Sequence, residues 1–245
     1  MFNKYSNILT MILIFFVIAI CGIIGYFVYD IFNSNNINSN AQSAIDEFES
    51  ATQTVKKDKE KNTVVEENTV AVEDTTNSLT MLSPLDPIEN IVIEDPNQEE
   101  QGSEPKDPEK VYMENYEVKG TIEIPKIGIK YPILERVTVR SIEIAVAIAY
   151  PQNAELNQPG NVVIYGHNYR NGLFFSDNKK LSNGDKIYIT DKYGNKVTYE
   201  IYNMYQTDPS DASYFVRDTE GRREISLQTC TDSGDGRIII WAAEK

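Results

Sequence analysis

Between Ile8 and Tyr29 the chain runs for 22 residues without a charge, ILTMILIFFVIAICGIIGYFVY. As a helix this run is about 33 Å long, enough to cross the hydrocarbon core of a bilayer. A cleaved signal peptide would have a shorter apolar core ending in small residues at a cleavage site, and that pattern is not seen. Lipoprotein processing at Cys21 is opposed by bulky Ile20 just before it. Residues 1–32 therefore read as a short stub and an uncleaved membrane anchor. Lys4 precedes the run and Asp30 follows it, which places the N-terminus in the cytoplasm and the rest outside.

Charge and proline divide what remains. From Met1 to Lys110 there are 7 Lys/Arg against 19 Asp/Glu, whereas from Val111 to Lys245 there are 16 against 18. Five of the ten prolines fall between Pro84 and Pro108. Residues 33–110, rich also in Asn, Thr and Ser, read as an acidic extracellular linker that cannot bury enough apolar surface to offset its ordering entropy. Within it Ala41, Ile45, Phe48 and Val55 fall near helical spacing, which allows a short juxtamembrane helix. No basic patch or nucleic-acid motif stands out, so no nucleic-acid partner is expected.

From Val111 the pattern changes to short runs of β-branched and aromatic residues separated by turn signals. Strands are expected at about 119–125, 129–134, 142–150, 161–166, 186–190, 196–204, 224–229 and 237–243, with a short helix over 174–181. Asp191–Asn195 and Ser233–Gly236 read as hairpin turns. Eight short strands with no regular alternation of long helices imply an all-β sandwich or closed barrel rather than a parallel α/β fold.

Few residues can carry chemistry. The chain has two cysteines and one histidine. Cys21 lies in the apolar run, so a disulfide framework is excluded. Cys230 closes the strand Ile225-Ser226-Leu227-Gln228-Thr229 and is followed by polar, glycine-bearing residues, where a thiol is either a partly exposed nucleophile or a small buried hydrophobe. His167 stands at the end of an apolar strand, a position from which a rigid scaffold presents catalytic groups, though a lone histidine is often structural. Arg237 opens the strand after the Ser233–Gly236 turn. If the flanking strands pair, it lies beside Cys230 as an oxyanion or carbonyl partner, or as an ordinary surface arginine. One histidine and one usable cysteine make no zinc constellation. A calcium site built from acidic loop residues stays open, although no loop has EF-hand spacing.

These residues resemble a known family. Leu227-Gln228-Thr229-Cys230 resembles the sortase Leu-X-Thr-Cys motif, with Arg237 at about the expected distance after it. Tyr165-Gly166-His167-Asn168 resembles the Gly-His segment of sortases. The stretch from Gly120 to Ile129 is similar to their first barrel strand, and Tyr131-Pro132-Ile133 to the segment after that strand. The resemblance covers about Gly120 to Ala243. It implies an eight-stranded sortase-type β-barrel over 111–245, acting as a cofactor-independent cysteine transpeptidase on the outer face of a Gram-positive-type membrane. Its partners would be secreted surface proteins with a C-terminal Leu-Pro-X-Thr-Gly-like sorting signal, and an amine acceptor such as a lipid-linked peptidoglycan precursor or a pilin lysine. By position, Cys230 would be the nucleophile, His167 the acid/base and Arg237 the stabiliser. Thr229 would line the site and assist the oxyanion. Pilus-building members often carry a second membrane segment after the barrel and an Asp-Pro-aromatic lid before it. No second apolar run follows the domain up to Lys245, and Asp86-Pro87-Ile88 lacks the aromatic, so it reads as spacer.

Two rivals remain at this level. Cysteine-dependent L,D-transpeptidases place histidine and glycine just before the cysteine, and Ser226–Thr229 contains neither. A non-catalytic membrane-tethered β-barrel binding module, or an inactive sortase relative, would keep Cys230 merely packed.

Overall fold

The apolar run becomes the first part of one long helix, α1 (Phe2–Glu66), in the computed structural model, which describes residues 2–66 and 107–245. The most apolar 18-residue stretch of α1 has a mean hydropathy of 3.0 and is not buried by any of the described residues. Large apolar side chains from Ile8 to Phe32 are exposed all round the helix. Such a cylinder is long and apolar enough to cross a membrane. Asp86-Pro87-Ile88 and most of the proline-rich part of the expected linker lie outside the described residues.

The helix does not stop where the apolar run ends. Ala41, Ala44, Ile45, Phe48 and Thr52 form one buried stripe at helical spacing, packed on the first strands of the barrel. The Tyr131 hydroxyl donates to Asn38 Oδ1 at 3.1 Å, and Lys130 pairs with Glu49 along the same contact. The expectation of a solvated linker from residue 33 thus needs correction over Asn33–Val55: the short helix that the spacing of Ala41, Ile45, Phe48 and Val55 allows is part of α1, longer than that spacing suggests and docked on the barrel. Burying side chains such as Ile45 and Phe48 stabilises the contact by about 1.5–3 kcal/mol each. Phe48→Asp should therefore release α1 from the barrel and open new protease cleavage sites near residues 40 to 55. Undiminished protection there would mean that the contact contributes little.

The remaining strands and α-helix are β1 (Tyr112–Met113), β2 (Tyr116–Ile124), β3 (Ile129–Leu134), α2 (Val139–Ile144), β4 (Val146–Tyr150), β5 (Gly160–Tyr165), β6 (Lys186–Asp191), β7 (Lys196–Thr207), β8 (Arg223–Cys230) and β9 (Arg237–Glu244). The strands hydrogen-bond in the order β1-β2-β3-β4-β5-β8-β9-β7-β6, and β6 returns to β2. Strands β2 to β9 therefore close into an eight-stranded mixed barrel, with β1 a two-residue extension. Closure leaves these eight strands without an unpaired edge. The parallel pairs are β3–β4 and β5–β8; the rest are antiparallel. Ile122, Ile133, Ile148, Ile164, Leu227 and Ile240 fill the interior, each almost fully buried.

Local chemistry explains the turns. Asp191 Oδ1 accepts from the backbone N–H of Tyr193 and Asn195, closing the β6–β7 hairpin around Gly194 at φ +77°. Two expectations need correction. Residues 142–145 are not strand: Thr138 and Ser141 form a reciprocal capping box that starts α2, and β4 begins at Val146. That cap outweighs the β-propensity of Ile142 and Ile144. Residues 174–181 hold only a three-residue 3-10 turn, Asn178–Lys180, because buried Phe174 and Phe175 anchor the chain as a loop.

Candidate active site

Strand alternation sorts the chemistry. Inward residues of β8, β9 and β5 include Leu227, Thr229, Ile238, Ile240 and Ile164, so Cys230, Arg237 and Tyr165 share the outer face. Cys230 and Arg237 are directly paired across the β8–β9 hairpin. β5 lies parallel on the other flank of β8, and the Gly166 N–H donates to the Gln228 carbonyl at 3.1 Å. The strand end carrying His167 is thereby brought beside the strand end carrying Cys230. Both are half-buried, so the thiol is neither a core residue nor fully in solvent.

The three expected chemical residues therefore converge, and Thr229 does not join them. Its side chain is buried on the inward face, and Oγ1 has no hydrogen-bond partner among the described residues. The hydroxyl is on the opposite side of the strand from the thiol, for the period-2 reason that places Cys230 outward.

One residue links the histidine and the cysteine. The Tyr165 hydroxyl lies 3.3 Å from His167 Nδ1 and 3.8 Å from Cys230 Sγ. Burial first, and the nearby Cys230 charge second, raise the phenol well above its ordinary pKa, so it stays protonated. Asn168 joins the same two loops from the side: its Nδ2 donates to the Cys230 carbonyl at 3.0 Å and to Asp232 Oδ1 at 2.9 Å. Lys179 pairs with Asp232 at 2.6 Å and Arg170 donates to its carbonyl at 3.2 Å. Lys179 and then Asn168 hold the Asp232 carboxyl below the usual range.

The imidazole is set from beneath and beside. A Cβ at Gly166 would come within 2.6 Å of the buried Phe175 ring, so only glycine lets the chain cross there. The Phe175 N–H donates to the His167 carbonyl at 3.1 Å. The Tyr169 ring lies 4.8 Å from that of His167. Burial lowers the His167 pKa, opposed by the Glu143 carboxylate. A protonated imidazole is the disfavoured form, so the unfolded chain binds more protons below about pH 6.5 and stability falls as pH drops through that range. Because His167 is the single histidine, its ring resonances can be followed by NMR without ambiguity. They should titrate with a midpoint below the ordinary value of about 6.5, and a midpoint at or above it would contradict this burial effect.

Arg237 gives one of its five donors to the Gly236 carbonyl at 3.1 Å. Its charge is felt at Tyr165, at Asp208 and at Tyr214, the last two on the β7–β8 connection. That connection begins where Thr207 pairs with Arg237. It is pinned by Tyr214 and Phe215 packing against Val163, Ile239 and Trp241 on the outer face, and by Arg217 pairing with the fully buried Glu224 carboxylate. Among the described residues no group of three or more His, Cys, Asp or Glu is placed to hold a metal ion.

Neither Tyr165 nor Asn168 stands out in the sequence as a chemical group. The signal for Tyr165 was strand parity: two residues before His167, it shares the outer face with Val163.

Comparison with known proteins matches residues 122–245 to the family model described as "Sortase domain". Among curated proteins, Sortase A of Bacillus anthracis is 30% identical over 124 residues, covering 50% of this chain and 57% of that protein. Sortase D of Bacillus subtilis is 30% identical over 117 residues, covering 48% and 56%. The chain thus spans little more than half the length of these curated relatives. Among solved structures, a Clostridium perfringens Sortase D5 transpeptidase is 30% identical, with a TM-score of 0.48, covering 52% of this chain and 79% of that one.

Proposed function

The chain belongs to the sortase family, and from that premise we propose that it is a membrane-anchored cysteine transpeptidase in which Cys230, His167 and Arg237 do the chemistry. The observation that carries this reading is the meeting of those three residue types on one outer face, at neighbouring strand ends. The Cys230 thiolate attacks the scissile carbonyl of a sorting signal, forming a C–S bond while the carbonyl oxygen takes up charge beside Arg237. His167 gives a proton to the departing amine, which leaves a thioacyl enzyme. An acceptor amine then attacks, loses its proton to the same imidazole and expels the thiolate. Thr229, facing inward, shapes the strand that presents Cys230 rather than the oxyanion.

The substrate class is a secreted surface protein with a C-terminal Leu-Pro-X-Thr-Gly-like signal, and the acceptor a lipid-linked peptidoglycan precursor or a pilin lysine. Lys4 and Asp30 support a cytoplasmic N-terminus, with residues 8–29 in the bilayer and the barrel outside. The chain divides into an anchor to residue 32, a linker over 33–110 and a catalytic domain over 111–245. The start of the linker acts as a docked stalk. Tyr29 to Ala41 along α1 is about 18 Å, so the barrel works close to the membrane exterior, where a lipid-linked amine would be found.

Incubating the full-length chain in detergent with a library of sorting-signal peptides and an amine tests the reading. Cleavage coupled to amine transfer supports it. No cleavage across a broad library, from demonstrably folded protein, would favour a binding role.

A further inference from the structure

We propose that the Tyr165 hydroxyl is a proton relay between Cys230 and His167, so that the thiol is activated through the phenol rather than by direct contact with the imidazole. The inference rests on the reading of Cys230 and His167 as a working pair. It is carried by one atom, Tyr165 Oη, lying 3.3 Å from Nδ1 and 3.8 Å from Sγ. A phenol donates one hydrogen bond and accepts others. Donation to Nδ1 leaves its lone pairs to receive the S–H.

The proton balance closes. In the resting state Cys230 is a thiol, Tyr165 a phenol and His167 neutral with its proton on Nε2. On activation the S–H bond breaks and its proton goes to Tyr165 Oη, while the phenolic proton moves to Nδ1. The products are a thiolate, an unchanged phenol and an imidazolium. Nε2 is then free to protonate the leaving amine and later to take the proton of the attacking amine. When the thiolate is expelled, the Nδ1 proton returns to sulfur by the reverse exchange. Each imidazole nitrogen thus has its own task.

Burial, Cys230 on β8 and Tyr169 on the following loop disfavour the phenolate and outweigh Arg237 on β9, which favours it, while Glu143 of α2 acts on His167 and Tyr169. Burial keeps the phenol protonated, so it passes a proton only by accepting one as it gives one.

Two measurements on the full-length chain in detergent decide the matter, in a Cys21→Ala background so that Cys230 is the one thiol. Nitrogen-15 NMR of the single histidine reads its tautomer without any mutation in the site. The relay predicts a proton on Nε2 and none on Nδ1 at rest, and a resting Nδ1–H overturns it. The second is the pH profile of Cys230 alkylation by iodoacetamide. Tyr165→Phe should lower the neutral-pH rate about tenfold or more in the parent background, yet add little to a His167→Gln variant. No loss, or an equal loss in both backgrounds, overturns the relay. Should Tyr165→Phe fail to fold, the tautomer decides alone. Neither readout uses a sorting signal. A chain that alkylates as described but cleaves nothing therefore refutes the transpeptidase and leaves the relay standing.

Discussion

His167→Ala is expected to lower kcat/KM for peptide transfer by roughly 10²- to 10⁴-fold, the range that a positioned acid/base supplies. The loss should fall mainly on kcat. His167 would protonate the leaving amine and deprotonate the acceptor, and neither event belongs to the ground-state complex. The fold should survive, because the imidazole is half-buried at a loop and the loop is held by other groups. Those groups are Phe174 and Phe175 in the core, the His167 carbonyl bonded to Phe175, and Asn168 bonded to the Cys230 carbonyl. Steady-state kinetics beside a thermal melt check both halves. A variant that melts like the parent and retains its kcat would remove the imidazole from the mechanism.

The second large effect is expected at Arg237. Removing a donor aimed at a developing oxyanion costs about 10²- to 10³-fold in rate, and Arg237→Ala should fall in that range. Arg237→Lys should recover only part of it. The ammonium keeps the charge but lacks the planar fork and is more strongly hydrated. Pairing with Cys230 across the hairpin fixes the backbone of Arg237, and its guanidinium bonds to the carbonyl of the adjacent Gly236, so truncation should cost little stability. If Arg237→Ala raised KM and left kcat alone, the guanidinium would be a substrate clamp rather than a transition-state stabiliser.

Much of this site could be read from the chain because its parts sit at ends of strands with strong patterns. Val162–Tyr165 is a short apolar run and Ile225–Thr229 an alternating one, and His167 and Cys230 stand at their ends. Those runs did not disclose that β5 and β8 are parallel neighbours. That pairing joins residues 65 apart in sequence at the Tyr165 hydroxyl, and no local signal encodes it. The hairpin partner of Cys230 was accessible because the Ser233–Gly236 turn is short.

Elsewhere local chemistry outweighed residue-type preference. Ile142 and Ile144 favour strand, yet the side-chain hydroxyls of Thr138 and Ser141 form the cap that starts α2. The stripe from Ala41 to Thr52 shows helical spacing, but an acidic, polar background masks it. Its burial comes from the barrel surface it meets, which the segment alone does not contain. Thr229 shows the same limit on a finer scale. Adjacency to Cys230 suggests a shared site, whereas strand parity puts its hydroxyl on the other face.

The most direct measurement is mass spectrometry of the full-length chain after mixing with sorting-signal peptides. A thioacyl adduct is expected on Cys230, absent in Cys230→Ala and discharged when an amine is added. Peptide cleavage without such an adduct, or an adduct that persists in Cys230→Ala, would contradict a mechanism centred on that thiol.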